Sequence, residues 1–523
     1  MTPIYQPSIN PITSMDYPDV DVIRVEDTYY MVSTTMYFMP GCEILRSYDL
    51  VHWEHAAYVY DRLDSTPAQR LEDGANVYGQ GMWAASLRYH EGVFHIIFVA
   101  NDTHKTYLFR ARDIRGPWEK SEIEGFYHDN SLLFDDDGKV YIVSGNREIH
   151  LTQLKADLTG PAEGWEDTVI VRDAADAPLG YEGAHFYKIG RKYYLFLIHI
   201  PKNGPRTESC FVADRPEGPY TGRDICDDDR GYCGSGCAQG GIVDTPEGAW
   251  YAMLFQDSGA VGRIPILIPM TWQDGFPVLG EDGKVPESFD ITSTRPDYQY
   301  APLTGSDDFR NDPDEKEGSA DSFGFRSRWQ FNHEPDLSLI TRDPAKGTVT
   351  FRTGNVVTNL VQAKNTLTQR TTYPGCSARV TLDASGLQEG DYAGLCLLES
   401  AYAFLGVTRR GGQLYLVRGE RIIEDPSIWG IRRDEEPAAE SATEPLTGST
   451  VTLEAHTDFT MMKDEAWFAI VKDGASRQIG DVSKLRFRLD HFTGVRFGLF
   501  AFSTKQAGGS AAFSDFRYEG VKR

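Results

Sequence analysis

The sequence predicts an all-β protein in which a five-bladed β-propeller is followed by a β-sandwich. A β-hairpin recurs five times in the first half of the chain, at intervals of about 45–65 residues, which suits four-stranded propeller blades. Alternating strands without that period fill the second half, as expected for a sandwich. The chain has 523 residues, and this length exceeds what one hydrophobic core normally serves.

Each hairpin repeat consists of a short strand, a tight turn marked by Gly, Asp or Glu, and a second strand rich in β-branched and aromatic residues. The second strands are the clearest part of the repeat. They cover residues 28–33, 93–98, 139–144, 192–197 and 249–254.

Five residues occupy the equivalent point of the repeat, about 11 or 12 positions before an aromatic residue of each second strand. They are Asp19, Trp83, Asp129, Glu182 and Gln239. Each starts the first strand of its hairpin, and the inner strands of a propeller surround its axis. We therefore expect these five side chains to converge on one mouth of the central channel.

The domain boundaries follow from where the hairpin period stops. We predict the propeller over residues 1–296, beginning with an N-terminal arm at residues 1–16. A stretch rich in Pro, Gly and Asp predicts a linker over residues 297–322, and the sandwich follows over residues 323–523. A run rich in Glu, Ala and Pro at residues 434–445 predicts an exposed loop.

The composition excludes several classes of partner. Lys and Arg number 52 and Asp and Glu number 77, so the net charge of −25 argues against nucleic acid. No apolar run reaches the roughly 18 residues that a membrane-spanning helix needs. Residues 1–14 lack the features of a secretory signal, and the scattered cysteines favour free thiols in a reducing cytoplasm. A signal removed upstream would instead indicate an extracellular protein, and the sequence leaves the oligomeric state open.

Three acids at one channel mouth permit glycoside hydrolysis. The reaction needs one ionised carboxylate to take a proton from water and one protonated acid to give a proton to the leaving oxygen. Crowded like charges raise one another's pKa, which helps to keep one acid protonated near neutral pH. Asp19, Asp129 and Glu182 supply such a set, and Trp83 offers a flat face for a sugar ring. The competing interpretation is that the acids cap turns or bind a structural cation.

The sequence resembles glycoside hydrolase family 43 over nearly its whole length. The likeness implies a five-bladed propeller enzyme that acts on arabinose- and xylose-containing plant polysaccharides, with the concanavalin-like sandwich of the longer members at its C-terminus. The motifs that carry it are Tyr17-Pro18-Asp19, Phe38-Met39-Pro40-Gly41, residues 47–53, residues 128–138, Glu182-Gly183-Ala184-His185, residues 329–336 and residues 391–395.

The resemblance also implies catalytic roles. Asp19 is the expected general base, Glu182 the general acid, and Asp129 the residue that tunes and positions Glu182, with inversion at the anomeric carbon. The chain departs from the family where many members carry a His beside an axial calcium or water, because Gln239 stands there. The reaction requires no cofactor, and Gln239 is the candidate ligand of a structural calcium in the channel, since an amide oxygen can bind that ion.

Further residues are candidates for binding the sugar. Some match family positions that usually line the pocket, and the others are expected near the channel. The first group is Phe38, Trp83 and Arg263, and the second is His199 and Arg206.

Several functions fit these residues. The first is an exo-acting, inverting α-L-arabinofuranosidase that trims side chains from arabinoxylan or its oligosaccharides. The second is an exo-β-1,4-xylosidase on xylo-oligosaccharides, and one enzyme can do both. A sugar-binding propeller without catalysis is the alternative from another class, although binding alone does not need three acids at one mouth. A retaining five-bladed hydrolase such as an invertase is disfavoured, because the middle blade lacks Arg-Asp-Pro.

Overall fold

The computed structural model describes residues 10–310, 323–423 and 436–520. These residues form five four-stranded antiparallel sheets and two larger sheets, which are the propeller and the sandwich that the sequence predicts. Part of the predicted arm, residues 1–9, and the second part of the predicted linker, residues 311–322, lie outside the described residues. No helix in the described ranges is both long enough and apolar enough to cross a membrane.

Each blade is a four-stranded antiparallel sheet whose strands follow one another in chain order, apart from one strand that joins the sandwich. The first blade contains β1 (Asp21–Val25), β2 (Thr28–Val32), β4 (Gly41–Ser47) and β5 (Glu54–Tyr60), with β3 (Phe38–Met39) between β2 and β4. The second contains β6 (Ser86–His90), β7 (Val93–Ala100), β8 (Lys105–Ala111) and β9 (Glu119–Ile123). The third contains β10 (Ser131–Phe134), β11 (Val140–Ser144), β12 (Glu148–Leu154) and β13 (Thr168–Arg172). The fourth contains β14 (Leu179–Ile189), β15 (Lys192–Ile200), β16 (Thr207–Ala213) and β17 (Thr221–Cys226). The fifth contains β18 (Cys237–Asp244), β19 (Trp250–Asp257), β20 (Arg263–Gln273) and β21 (Phe276–Leu279).

The innermost strands form a closed ring, because β1 contacts β6, β6 contacts β10, β10 contacts β14, β14 contacts β18 and β18 contacts β1. The described part of the N-terminal arm joins the first and fifth blades. The Ile12 and Tyr17 backbone N–H groups donate to Pro265 and Arg263 carbonyls of β20, each at 3.0 Å.

Apolar residues on both faces of each middle strand hold neighbouring blades together. In β7, Ile96 and Phe98 pack in a cluster with residues of the first blade such as Ile44. The intervening Ile97 packs instead with residues of the third blade such as Leu132. Successive side chains of a strand point to opposite faces, so a strand that is covered on both faces is apolar at nearly every position. This explains the near-continuous apolar runs from which the hairpins are recognised.

The C-terminal domain consists of two sheets that pack face to face around the largest hydrophobic core of the described residues. One sheet contains, in spatial order, β3, β22 (Gln330–Asn332), β25 (Leu367–Arg370), β35 (Arg496–Ser503), β27 (Asp391–Leu398), β28 (Ala403–Arg410), β29 (Gln413–Glu420) and β30 (Ala439–Pro445). The other contains β23 (Ile340–Asp343), β24 (Thr348–Arg352), β36 (Ser510–Gly520), β26 (Cys376–Asp383), β31 (Thr450–Asp458), β32 (Glu465–Lys472) and β33 (Ala475–Gln478), and β34 (Ser483–Lys484) also pairs with β32. Short 3₁₀ turns occur at Gly259–Val261, Leu337–Leu339, Leu360–Gln362 and Thr460–Met462.

The two domains share one sheet and a buried ion pair. Strand β3 leaves the first blade and pairs with β22 as an edge strand of the sandwich. The guanidinium of Arg370, on β25, contacts the buried carboxylate of Glu43 at 2.7 Å and donates to the Asp16 carbonyl at 3.0 Å. A buried ion pair that loses one partner leaves an uncompensated charge, so these contacts couple the position of the sandwich to the first blade.

The predicted exposed loop at residues 434–445 is wrong for most of its length. Ala439–Pro445 forms β30, which pairs with β29 at the end of the sheet, whereas residues 434–435 lie outside the described residues. The segment is exposed as expected. A polar edge strand is solvated in the same way as a loop, and Pro and charged residues are typical of such edges, so composition does not separate the two.

Candidate active site

The channel mouth opens into a cavity of about 660 Å³ between the propeller and the sandwich. All five residues that the hairpin repeat predicts to converge line this cavity, as do two of the predicted substrate-binding arginines. Its lining residues are Asp19, Trp83, Asn101, His128, Asp129, Asn146, Leu179, Glu182, Arg206, Gln239, Asp257, Gly259, Arg263, Met462, Phe487, Leu489 and Phe492.

The backbone is unusual where the inner strands begin. Asp19, Asp129 and Gln239 have left-handed φ values of 52°, 48° and 64°, and Gly183, which follows Glu182, has a φ of 64°. Residues other than Gly rarely adopt this conformation, and when they do so it is often at functional sites that the surrounding structure stabilises. A left-handed residue thus recurs in four blades, either at the cavity-lining residue or directly after it.

Asp19 is buried and paired with a cation. Its Oδ1 contacts the Arg263 Nη1 at 2.8 Å, and its Oδ2 accepts a hydrogen bond from the Thr34 hydroxyl at 2.6 Å. Burial raises the pKa of Asp19, whereas the Arg263 guanidinium and the Thr34 hydroxyl oppose this rise. A carboxylate with a raised pKa is a stronger base as long as it remains ionised, and the paired guanidinium favours the ionised form.

Glu182 lies beside Asp129, in surroundings that favour its protonated form. Burial and the Asp129 charge raise the pKa of Glu182 to about 7. One carboxylate oxygen each of Asp129 and Glu182 and a ring nitrogen of His128 all lie within 4.8 Å of one another. The Asp129 carboxylate accepts from the Gly183 N–H at 3.1 Å, and the Asn146 amide donates to Glu182 Oε2. Asp129 therefore contacts the backbone next to Glu182 and also favours its neutral form, which are the two tasks expected of a positioning acid.

Two arginines complete the polar wall. Arg206 contacts Asp257 at 2.9 Å, and its guanidinium lies over the Phe255 ring. Arg263 lies over the same ring and over Phe492, at 4.5 Å from the latter centroid. Within the described part of the chain, the Nε and Nη2 of Arg263 have no hydrogen-bond partner. Both nitrogens are buried, so the contact with Asp19 is the polar contact of this guanidinium that bears on the reaction.

The sandwich supplies the apolar side of the cavity through Met462, Phe487, Leu489 and Phe492. The Phe492 ring lies 5.1 Å from the Trp83 ring, centroid to centroid. The sequence analysis missed these four residues because no periodicity links a loop of the second domain to the propeller axis. The predicted flat surface at Trp83 is thus one part of an aromatic wall to which both domains contribute.

Two predicted substrate-binding residues do not line the cavity. Phe38 is buried in β3 at the domain interface, where the Arg496 guanidinium lies 3.5 Å from its ring centroid. The imidazole of His199 contacts Asp173 and Asp224, each at 3.1 Å, and stacks on Tyr181. Phe38 leaves its blade to join the sandwich sheet, and His199 points away from the cavity into the fourth blade.

Three of the propeller residues that the sequence analysis missed share one position. Asn101 and Asn146 lie just after the second strands of their blades, and Asp257 ends the second strand of the fifth blade. In an antiparallel hairpin the end of the second strand lies beside the start of the first. The repeat that identifies the five strand starts could therefore have identified these residues as well.

The residues around Gln239 do not fit a calcium site. Gln239 offers one amide oxygen, and its backbone N–H donates to the buried Glu208 carboxyl at 2.7 Å. Burial raises the pKa of Glu208 well above its usual range, which favours the neutral form of this carboxyl. Calcium takes about six to eight oxygen ligands, with ionised carboxylates prominent among them. In the described residues, the grouping of potential metal ligands is His128, Asp129 and Glu182, and a cation there would displace the proton that Glu182 holds.

The cavity holds a buried carboxylate paired with a cation and a second carboxyl group whose pKa is raised to about 7. Glycoside hydrolysis requires two such carboxyl groups, one as a base and one as an acid. The comparison with known families gives the same class. Residues 8–277 match glycosyl hydrolases family 43, and residues 321–519 match the β-xylosidase C-terminal concanavalin A-like domain. The chain belongs to glycoside hydrolase family 43.

Individual relatives carry two kinds of description. A β-xylosidase of Formosa agariphila is 26% identical over 469 residues, which cover 76% of this chain and 74% of that protein. A non-reducing-end α-L-arabinofuranosidase of Bacteroides ovatus is 29% identical, over 57% of this chain and 58% of that protein. A solved structure from Bacteroides eggerthii, described as a bifunctional GH43-CE protein, is 40% identical with a TM-score of 0.89. The match covers 99% of this chain and 64% of the Bacteroides eggerthii chain.

Proposed function

We propose that the protein is an inverting, exo-acting glycosidase that removes α-L-arabinofuranosyl side chains from arabinoxylan or its oligosaccharides. The observation that carries the proposal is that two carboxyl groups in one cavity have surroundings that favour different protonation states. Asp19 is paired with Arg263 at 2.8 Å, whereas Glu182 has a pKa of about 7. A base and an acid that are ready at the same pH are what single-displacement hydrolysis requires.

In this mechanism Asp19 takes a proton from a water molecule as that water attacks the anomeric carbon. Glu182 gives its proton to the glycosidic oxygen as the bond to the anomeric carbon breaks. The configuration inverts because water attacks directly and no glycosyl-enzyme forms. Room for this water requires the Asp19 and Glu182 carboxyl groups to lie about 6.5–9.5 Å apart, against about 5–5.5 Å in a retaining enzyme.

Exo action is supported by the wall that the sandwich builds. Phe487, Leu489 and Phe492 of the sandwich line the cavity together with the propeller residues, so the cavity is bounded by two domains and is not a groove along one of them. A terminal sugar enters such a cavity, whereas an internal segment of a polysaccharide needs a path on both sides. The name of the Bacteroides ovatus relative, a non-reducing-end α-L-arabinofuranosidase, supports the same mode of action.

A second candidate is an exo-β-1,4-xylosidase on xylo-oligosaccharides. The Formosa agariphila relative is named a β-xylosidase, and the C-terminal domain matches a domain described by that activity. Arabinofuranose and xylopyranose are both pentoses, and the cavity offers each of them the Trp83 ring and the same three acids. One cavity therefore can serve both activities.

The test compares 4-nitrophenyl α-L-arabinofuranoside with 4-nitrophenyl β-D-xylopyranoside, followed by arabinoxylan oligosaccharides. We expect the higher kcat/KM for the arabinofuranoside and release of arabinose with the xylan backbone intact. A preference for the xyloside would make the second candidate the function. Hydrolysis of neither would indicate a sugar-binding propeller without catalysis. The Asp19→Asn variant controls for contaminating glycosidases.

Stereochemistry provides an independent test. Rapid proton NMR sampling is expected to show the first-formed sugar with inverted configuration, and reaction in dilute methanol is expected to give no methyl glycoside. A methyl glycoside that keeps the substrate's configuration would require a glycosyl-enzyme. That result would remove Asp19 from the role of general base.

A further inference from the structure

The innermost strands bring together a further set of five residues in a ring around the propeller axis. These residues lie a few positions further along their strands than the cavity-lining residues. Each innermost strand contributes one member. The five residues are Asp21 of β1, Arg88 of β6, Ser131 of β10, His185 of β14 and Gly241 of β18. The mechanism proposed above uses none of them.

The guanidinium of Arg88 connects this ring. Its Nη1 donates to Asp21 Oδ2 at 2.6 Å, and its Nη2 donates to the Ser131 hydroxyl at 2.8 Å. Its Nε donates to the Leu132 carbonyl at 2.7 Å, and the guanidinium lies over the Tyr187 ring at 5.2 Å. Arg88 therefore bonds to the first and third blades from the second, and stacks on the fourth.

The remaining contacts close the ring. The Phe186 N–H donates to the Ser131 hydroxyl at 2.9 Å, and the Ile242 N–H donates to the Tyr187 hydroxyl at 3.0 Å. A Cβ atom on Gly241 would lie 2.7 Å from the Tyr187 hydroxyl and 3.0 Å from Asp21 Oδ1. The fifth blade thus joins through its backbone, because there is no space for a side chain.

Every catalytic acid lies within a few residues of this ring. Asp21 follows Asp19 by two residues, and Ser131 follows Asp129 by two residues. Glu182 lies on β14, the strand whose Phe186 N–H binds Ser131. The guanidinium of Arg88 is therefore linked to the strands that carry the base, the positioning acid and the general acid.

The ring is built around this guanidinium and does not fit a metal ion. Asp21 supplies its carboxylate, and that group is paired with Arg88 at 2.6 Å. Calcium requires about six to eight oxygen ligands, and a guanidinium at this distance repels a second cation. Arg88 carries a fixed positive charge and five donors, so it can neutralise Asp21 and join several strands at once.

We propose that Arg88 is the positioning residue of the catalytic carboxyl groups, and that its guanidinium joins the blades at the axis in place of a bound cation. The proposal rests on the hydrolase function proposed above, since it concerns the geometry of that reaction. Activity is accordingly independent of calcium. The loss of Arg88 lowers turnover more than it weakens substrate binding, because Arg88 does not line the cavity.

The test measures kcat and KM of the Arg88→Ala variant on whichever aryl glycoside the wild type hydrolyses. We expect kcat to fall about 10²-fold, the loss that a misplacement of about 1 Å causes, with a smaller change in KM. The Arg88 side chain is 11% exposed, so added guanidinium ion can reach the space and is expected to restore part of kcat. Chelator is expected to leave wild-type activity intact, and calcium is expected not to rescue the variant.

The Arg24→Ala variant is a matched control. Arg24 lies on another innermost strand, β1, and also forms an inter-blade ion pair, with Asp244 at 2.7 Å. It differs from Arg88 because it lies near the end of its strand that is remote from the acids. We expect wild-type kcat from this variant, and a loss equal to that of Arg88→Ala would overturn a specific role for Arg88.

Other outcomes are equally decisive. Wild-type kcat in folded Arg88→Ala, or a wild type that chelator inactivates and calcium restores, would overturn the proposal.

If Arg88→Ala does not fold, Arg88→Lys keeps the charge beside Asp21 but cannot bind Ser131 and Leu132 at the same time. It is then expected to lose about tenfold in kcat, within the range of misplaced catalytic groups, and undiminished kcat would overturn the proposal. A wild type that hydrolyses neither glycoside refutes the function itself, whereas an active wild type with an equally active Arg88→Ala refutes only the role of Arg88.

Discussion

Replacing Glu182 with Gln is expected to inactivate the enzyme towards natural substrates and at the same time to stabilise the protein at alkaline pH. The pKa of Glu182 is about 7 against an ordinary value of 4.5. A group whose pKa is raised on folding binds its proton more tightly in the folded state, so stability falls as the pH rises from about 4.5 through about 7. Gln has nearly the same shape but carries no charge at any pH, so the variant does not show this loss.

The magnitude follows from the same pKa. Each tenfold change in the acid dissociation constant corresponds to about 1.36 kcal/mol. Ionised Glu182 therefore costs at most about 3 kcal/mol of folding free energy above pH 7. Water in the open cavity lowers this value, and we expect about 1–3 kcal/mol. With an unfolding entropy of about 2.1 cal/mol/K per residue, this corresponds to a rise in Tm of roughly 1–3 °C at pH 8.5. Little difference is expected at pH 4.5.

Thermal melts of the wild type and Glu182→Gln at both pH values provide the assay, together with kinetics on two substrates. A poor leaving group depends on protonation, so its hydrolysis should fall about 10²–10⁴-fold, whereas an activated aryl glycoside should be less affected. The alkaline limb of the wild-type kcat/KM profile should also disappear with the variant. Equal Tm values at both pH values, or equal losses on both substrates, would refute the assignment of Glu182 as a protonated general acid.

Four further predictions concern the rest of the cavity. Asp19→Asn should lose about 10²–10⁴-fold in kcat with good and poor leaving groups alike, because both need activated water; a loss of less than about tenfold would contradict its role as the base. Asp129→Asn removes a charge that raises the pKa of Glu182, so the alkaline limb of the kcat/KM profile should move to lower pH, and an unmoved limb would argue against this coupling. Phe492→Ala should raise KM about 2- to 10-fold through the loss of about 0.5–1.5 kcal/mol of aromatic contact, with an unchanged Tm as the control for folding. His199→Gln should leave KM unchanged, because His199 pairs with Asp173 and Asp224 and does not line the cavity; a raised KM would restore its predicted role in binding.

The strand starts could be predicted from the sequence because a propeller converts a linear repeat into rotational symmetry. Asp19, Asp129 and Glu182 occupy the same position in three hairpins, and equivalent positions in blades around one axis must meet at that axis. Gln239 and Trp83 follow the same rule, and all five residues line the cavity. The general-acid and general-base roles of the acids came from the family resemblance, and they remain predictions until the variants are measured.

Residues outside the repeat could be placed only by the tertiary structure. Phe38 has a family-matched position, yet β3 pairs with β22 in the sandwich and removes its ring from the cavity wall. Arg88 is the third residue of β6. Nothing in its local sequence indicates that it contacts Asp21 and Ser131 of two other blades.

The sequence by itself determined the fold, the count of blades and the convergence of the acids, because these depend on local hydrophobic periodicity and on symmetry. The tertiary structure decided which surfaces close the cavity and which charges meet inside it. Phe492 reaches Trp83 across hundreds of residues, and Arg263 reaches Asp19 in the same way. Such contacts depend on how whole sheets pack. A local sequence pattern therefore does not predict a contact with a residue that is distant along the chain.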